Sequence, residues 1–560
     1  MVAPARKRAE VAIRWGLLAA PVVAMVLLAW SRRWMSDDGF INLRVVEQLL
    51  AGNGPVFNAG ERVEIATSPL WVAVLTALAA VTPWIPLAWT AVLLGIAATG
   101  LGLVAAEAGA LRLGNGDRRA GVAVPLGVLV VVALPPFWDF ASSGLETGLS
   151  LAWIGGCWYL LAGEASARHW ATAMACGLGP LVRPDLAIFT VAFLAVLLLI
   201  PRSRPVWSRL GTIAAAGVLP GLWQVFRMGY YGALVPNTAF TKEASLARWD
   251  QGWLYLGEFT TTYGAAIPLV ALLILAVVPR AVKWFRLGDR HRGALVVAPV
   301  AAGVVHWLYV VRVGGDFMHA RLLLPGLFAF LLPVAVVDLA GVRSGRRLAG
   351  VATSGALAVV ATWALVVGIS VRVEQEGIGL DGIVDERSLY VRSAGHPNPV
   401  TLDDYEDNGW VANARTARQQ AEDDRAVLIL GEDGFDDPSR WVALQEDARR
   451  PVVAHPNVGL LGYGSGTGVH ILDQLGLGDA LTARQRLEVR GRPGHEKALG
   501  RPWILARFAD ASAVMAPDAP PPPAVAAARR ALGCGEIAQV LAAGEQPLTL
   551  SRFVDNLGAA

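Results

Sequence analysis

The chain has 560 residues, of which 54% are hydrophobic and 17% charged, and its mean hydropathy is +0.47. This composition excludes an ordinary soluble protein of this length and indicates a polytopic α-helical membrane protein. The net charge of +3 gives no reason to expect a nucleic-acid partner, and three cysteines (Cys157, Cys176, Cys534) make neither a disulfide framework nor a zinc spacing.

In chain order, a basic start (Arg6, Lys7, Arg8) precedes an apolar run over 12–30 with no small-residue cleavage site after it. It reads as a retained first helix. A membrane span takes about 20 apolar residues, fewer where a helix is buried among others. By that measure spans are expected over 12–30, 86–106, 121–136, 146–162, 169–181, 185–201, 210–228, 263–279, 294–312, 321–340 and 349–370. With eleven spans, the basic clusters all fall on one side: Arg6/Lys7/Arg8, Arg112/Arg118/Arg119, Arg202/Arg204/Arg209, Arg280/Lys283/Arg286/Arg290/Arg292 and Arg343/Arg346/Arg347. The positive-inside rule makes that side cytoplasmic, giving an N-in, C-out protein of the plasma membrane. The stretch 68–82 is too short to count, and Pro69 stands where a helix tolerates proline. It is expected as a surface or re-entrant helix in the first outer loop, 31–85.

Beyond about residue 371 charged residues become frequent and no further span follows, so a membrane domain over 1–370 and an extracytoplasmic α/β or mixed domain over 371–560 are expected. "RAVLIL" (425–430) reads as a buried strand, "PVVAHPNVGLLGYGSG" as a strand followed by a turn-rich loop, and "APDAPPPPA" (516–524) as a stiff spacer. The glycines of 462–468 fit neither a P-loop nor a dinucleotide fingerprint and read as a loop needing glycine geometry.

Ionisable residues gather on the outer side. Asp37 and Asp38 follow the first span, and "SSGLET" places Glu146 at the end of another. "VRPD" sets Arg183 and Asp185 at a sharp turn, "PNTAFTKEAS" carries Asn237 and Lys242, and "GGDFMHARLLLP" carries Asp316, His319 and Arg321. At membrane depth such groups cost about 2.5–3.5 kcal/mol each, so they tend to be paired or functional. Each also has a bland reading. Arg183 and Asp185 could form an internal ion pair, Lys242 and Arg248 could be solvated, and Arg321 could snorkel to headgroups. His319 alone is more often structural than catalytic. One of the two acids could cap the helix starting near Gly39, which leaves the second unexplained. As a set, carboxylates facing cations at the outer surface suit a sugar carried on a membrane-anchored phosphate.

The stretch "SDDGFINLRVVEQLLAGNGPVFNAGERVEIATSPLW" (36–71), with its acid pair and Arg44, resembles the corresponding segment of the mycobacterial terminal arabinofuranosyltransferase B family, also called ZomB-like, within the GT-C glycosyltransferase superfamily. "SGLET", "RPD", "PNTAFTK", "GGDFMHARLLLP" and "GVHILDQLGLGDAL" are similar to later blocks of that family, in order. "EIATS" departs from the family's usual "EGYTS", and "TAFTK" from "TFYAK". The resemblance implies a GT-C fold, decaprenylphosphoryl-arabinose as donor, and the non-reducing ends of arabinan in arabinogalactan and lipoarabinomannan as acceptor, with a terminal β(1→2) linkage formed. It implies Asp37 and Asp38 as catalytic acids, with Asp37 the expected base. Arg183, Lys242 and Arg321 would hold the donor phosphate, and Arg44, Glu146, Asp185, Asn237, Asp316 and His319 would line the pocket. The outer domain would help to bind glycan.

A β-linked donor and a β-linked product mean net retention. An Asp acting as nucleophile and attack on the leaving-group face are the two routes to it. The residues leave a metal cofactor open: paired Asp suits Mg²⁺ or Mn²⁺, while a monophosphate donor needs a cation less than a pyrophosphate does, and Arg or Lys could serve instead. Three alternatives stand beside this reading: a GT-C transferase for another polyprenyl-phosphate sugar such as mannose, a lipid-linked sugar flippase, and a structural envelope protein with a glycan-binding outer domain, the last of which leaves the membrane-side acids without purpose. The flippase reading expects repeated halves and midplane charges; the chain has no internal repeat.

Overall fold

The computed structural model describes residues 2–114, 123–163, 169–199, 205–338, 347–373, 377–379, 381–445, 450–513 and 519–560. Of the basic residues behind the expected orientation, Arg118, Arg119, Arg202, Arg204, Arg343 and Arg346 lie outside these. Two compact units are present: residues 1–33, 92–220 and 248–385 form the first, and 34–91, 221–247 and 386–560 the second. The units cut across the expected boundary near 370, because residues 34–91 and 221–247 group with the C-terminal region.

Four helices among the described residues are long and apolar enough to cross a membrane: Ala12–Ser31, Leu87–Leu113, Ala266–Arg286 and Arg290–Val313. They coincide with four of the eleven expected spans. Several of the others are shorter or broken. Over 121–136 the chain runs through Ala123–Val124, Leu126–Ala133 and Pro135–Phe140, with Leu134 extended between the helices. Pro135 explains the break, since the residue before proline is driven out of the α region. Over 169–186 the helices His169–Gly177 and Gly179–Val182 give way to a 3₁₀ turn at Pro184–Leu186. The run from Arg321 is likewise segmented into Arg321–Leu323, Leu324–Leu331 and Leu332–Val334. Helix Ala266–Leu272 passes into a π turn, Leu273–Val277, just before Pro279. Proline has no N–H to offer the preceding turn, and a π turn absorbs that mismatch.

The second unit holds a four-stranded sheet in the order Val442–Ala443, Val427–Leu430, Val452–His455, His470–Asp473, with the first edge antiparallel and the other pairs parallel. Leu428, Val452, Ala454 and Leu472 pack with Leu499, Ile504 and Leu505 into one buried cluster. Apolar runs of this kind are what parallel strands covered on both faces require. The strands at 427–430 and 452–455 are those expected from sequence; His470–Asp473 was not anticipated. The stretch after the second strand is not a turn-rich loop but helix Gly459–Ser465, ending at Gly466 with φ +72°. The proposed polyproline spacer also requires correction in its described part. Pro521 and Pro522 cap and open helix Pro522–Leu532, because proline at a first turn forfeits no hydrogen bond. Helix Pro69–Val81 forms as expected, with Ser68 Oγ accepting from the Trp71 N–H.

Candidate functional site

The site residues expected from sequence divide between the two units. In the second unit, helix Asp37–Leu50 is capped by Ser36, whose Oγ accepts from the Gly39 N–H at 3.0 Å. Neither aspartate is therefore needed as its N-cap. Asp37 instead caps another helix: its Oδ2 accepts from the Gly459 N–H at 3.0 Å and its Oδ1 from the Leu460 N–H at 2.7 Å. Those N–H groups open helix Gly459–Ser465 and would otherwise lack partners. Asp37 is only 8% exposed, and burial pushes its pKa up to about 6 against the pull of the two N–H groups. Asp38, one residue on, is half-buried.

The fit between these two helices leaves no room at Gly459. A Cβ there would lie 1.9 Å from the Asp37 carbonyl oxygen and 2.6 Å from its Cγ. Gly459→Ala is expected to force the helices apart at a cost of about 1–3 kcal/mol. Tryptophan-monitored melting of the full chain checks this, and an unchanged melting temperature would refute the close approach.

Arg44 is wholly buried and spent on structure. It donates to the carbonyls of Phe57 and Val469 at 2.8 and 2.7 Å, to that of Gly466 at 2.7 Å, to the Gly462 carbonyl, and to Asn58 Oδ1 at 3.3 Å. Asn237 is similarly committed, donating to the carbonyls of Gly476, Leu477 and Asp479 at 2.8, 3.0 and 3.2 Å. Its helix, Asn237–Thr241, ends at Lys242, and Thr241 Oγ1 adds a bond to Gly476 at 2.7 Å. Lys242 itself is half-buried and makes no ion pair or side-chain hydrogen bond among the described residues.

In the first unit the expected residues do converge. Arg183 Nε donates to Asp185 Oδ1 at 3.0 Å, and its Nη1 lies 3.4 Å from Glu146 Oε1. Asp185 Oδ2 meets His306 Nε2 at 2.7 Å. Arg321 pairs with Asp316 Oδ2 at 2.7 Å, while Asp316 Oδ1 accepts from the Phe317 N–H at 3.0 Å. The positive charges of Arg183 and Arg321 are thus met by carboxylates, as a buried cation requires. His319 stands between Glu258, at 2.7 Å from Nδ1, and the Tyr263 hydroxyl, at 2.9 Å from Nε2.

Sequence reasoning missed His306, Glu258 and Tyr263. His306 was visible as a lone polar residue within "VVHWLYVV"; the other two carried no signal, since their partner His319 lies 56 or more residues away. No group of three or more His, Cys, Asp or Glu side chains among the described residues is placed to hold a metal ion. Cys157 and Cys176 are buried, as small apolar residues would be.

Apolar helices of spanning length, a mixed sheet in the C-terminal region and ionisable clusters set against apolar segments define a helical membrane protein. Comparison with known proteins is more specific. Residues 403–560 match the AftB family C-terminal domain. The chain is 35% identical to the terminal β-(1→2)-arabinofuranosyltransferase of Mycobacterium tuberculosis, over 97% of this chain and 93% of that protein. It is 36% identical to the protein of the same name from Corynebacterium glutamicum, over 94% of this chain and 82% of that one. The chain belongs to this family of glycosyltransferases. The kinship disfavours the flippase and structural alternatives.

Proposed function

We infer that the chain is a membrane arabinofuranosyltransferase, and that it moves arabinofuranose from decaprenylphosphoryl-arabinose to the non-reducing ends of arabinan, forming the terminal β(1→2) linkage. The kinship over nearly the whole chain carries this reading. A GT-C arrangement of eleven spans, N-in and C-out, with acids and C-terminal region on the outer face, is part of the proposal. So is the contribution of the C-terminal region to glycan binding.

The residue roles follow from what each side chain is already doing. Transfer breaks the bond from the anomeric carbon to the phosphate oxygen and joins that carbon to an acceptor hydroxyl oxygen, whose proton needs a base. A base must reach that proton first and have a suitable pKa second. Asp37 has the pKa of about 6 but gives both oxygens to backbone N–H groups. We assign the proton, and the positive charge developing on the sugar, to Asp38, while Asp37 anchors helix Asp37–Leu50 to helix Gly459–Ser465. Lys242, without a carboxylate partner among the described residues, holds the phosphate that leaves as the lipid monoester. Arg183 and Arg321, already neutralised, fix the ends of their helices with Glu146, Asp185 and Asp316.

The test is transfer by the full chain in nanodiscs from labelled decaprenylphosphoryl-arabinose to a short arabinofuranoside. Terminal β(1→2) product is expected, and Lys242→Gln should lower kcat/KM about 10²-fold at unchanged melting temperature. Arg183→Gln should instead lower the melting temperature, because Glu146 and Asp185 lose their buried partner. Transfer from a mannose donor but not from the arabinose donor would overturn the assignment.

A further inference from the structure

Within the second unit, helix Leu550–Ala559 is fastened to the end of helix Val206–Tyr231. Thr549 caps it, Oγ1 accepting from the Arg552 N–H at 3.1 Å. Asn556, buried, donates from Nδ2 to the Gly229 carbonyl at 3.0 Å and to the Ala543 carbonyl at 3.3 Å. Arg62 ties the same two stretches together, donating from Nε to the Tyr230 carbonyl at 3.0 Å and from Nη2 to the Ala543 carbonyl at 2.7 Å. The Phe553 ring abuts Gly229, where a Cβ would collide with it.

This docking uses only part of the helix's apolar side. Helical spacing puts Leu550, Phe553, Val554 and Leu557 in one stripe and turns Arg552 and Asp555 away from it. Phe553 meets Gly229, whereas Leu550 is 81% and Val554 57% exposed. The side of the other helix that receives Phe553 is itself apolar and open. Leu222, Val225 and Gly229 follow at spacings of three and four and so share that side, and Leu222 is 62% and Val225 50% exposed. In the proposed arrangement these residues form the outer end of the span over 210–228, and the side they share faces lipid. Trp223, Phe226, Tyr230 and Tyr231 stand at the same end, with successive ring centroids 5.1, 4.9 and 4.8 Å apart. Trp and Tyr collect where hydrocarbon gives way to headgroups.

We propose that helix Leu550–Ala559 lies in the outer surface of the bilayer, with Leu550 and Val554 set into the boundary between headgroups and acyl chains and continuing the lipid-facing side of Leu222 and Val225. The inference rests on the span over 210–228 given above. A helix with one apolar stripe and one polar side settles at that boundary. Its single arginine, which donates to the Gln546 side chain, and its single aspartate leave no net charge, so the contact is apolar and needs no anionic lipid. The C-terminal region is then seated on the membrane rather than standing free of it. The segment that leads from Gly232 to Lys242 starts at that seat.

The test uses the full chain in phosphatidylcholine nanodiscs, with Cys534→Ser removing the exposed thiol and Cys157 and Cys176 left buried. Leu550→Cys, Val554→Cys, Asp555→Cys and Val225→Cys are made one at a time and labelled with bimane. Quenching is read from a lipid nitroxide placed near the headgroups and from aqueous iodide. Labels at 550 and 554 should be quenched severalfold more by the lipid, and severalfold less by iodide, than the label at 555. Added phosphatidylglycerol or salt should not change this. Iodide reaching position 554 as readily as 555, while 225 is quenched by lipid, would overturn the seating of the helix alone. If 225 also answers to iodide and not to lipid, the span over 210–228 fails with it. Shielding of 554 from both quenchers would mean that protein, such as a second copy of the chain, covers the stripe, and lipid contact only with phosphatidylglycerol would mean that charge drives it; either overturns the proposal. Should a label at 550 or 554 lower the melting temperature, the other position decides.

Discussion

Asp38→Asn is expected to lower kcat/KM for arabinose transfer by about 10²–10⁴-fold, the range lost with a positioned acid–base group. Asp37→Ala is expected to behave in the opposite way. It strips the acceptor from the Gly459 and Leu460 N–H groups, which are buried against helix Asp37–Leu50. Leaving such donors unpaired costs about 1–3 kcal/mol, so the melting temperature should fall and transfer by the surviving folded fraction should persist. Steady-state kinetics and melting curves on both variants, in the same nanodiscs, check the division. If Asp37→Ala melts normally but loses transfer, and Asp38→Asn keeps it, the two roles must be exchanged. Adjacent acids that look equivalent in sequence would then still be unequal, only in the other order.

That inequality is the part of the site which the sequence could not convey. "SDDGF" announces an acid pair at a helix start, and the bland reading of that pair as a cap was half right in kind. The helix that Asp37 caps begins 422 residues further on, at Gly459, and no local pattern encodes that partner. Arg44 has the same history. It stood in a stretch resembling a transferase motif and so looked like a substrate ligand, yet most of its acceptors are carbonyls of residues 462–469. The ion pair of Arg183 with Asp185 was legible, being two residues apart. Its second acid, Glu146, could only be named as a neighbour of the pocket. Elements whose cause is local were readable: strand Val427–Leu430, the proline-started helix Pro69–Val81, and the four long apolar helices. The run over 121–136 was read as one continuous span, because hydropathy averages over the break that Pro135 imposes, whereas the break at Pro184 was legible as the sharp turn of "VRPD".

Arg507→Leu is expected to cost about 3–5 kcal/mol, the price of stranding buried charge. Arg507, in helix Arg501–Phe508, donates from Nη1 to Asp479 Oδ2 at 2.5 Å and from Nη2 to Glu61 Oε1 and Glu545 Oε1 at 2.7 and 2.6 Å. Glu61 and Asp479 are buried, whereas Glu545 is partly exposed and can hydrate when the arginine is lost. Asp479 also caps helix Ala480–Ala483 through the Thr482 N–H at 2.7 Å, and its carbonyl accepts from Asn237, whose helix ends at Lys242. The loss should therefore reach the proposed phosphate site as a raised donor KM.

Its pH signature has a definite sign. Burial raises the Asp479 pKa, but Arg507 and the Thr482 bonds outweigh it and hold the carboxyl below its ordinary value. In the unmodified chain that contributes stability above the unfolded-state pKa of about 4, lost as pH falls through the depressed folded value. Without Arg507 the folded pKa of Asp479 rises, and protonation then favours the folded variant. The gap in melting temperature between the unmodified chain and Arg507→Leu should accordingly be widest near pH 7 and narrow toward pH 4. Asp479→Asn added to Arg507→Leu should recover part of the loss at pH 7. A gap independent of pH, with no recovery in the double variant, would mean that the guanidinium contributes packing alone. The carboxylates of Glu61, Asp479 and Glu545 would then be satisfied without it.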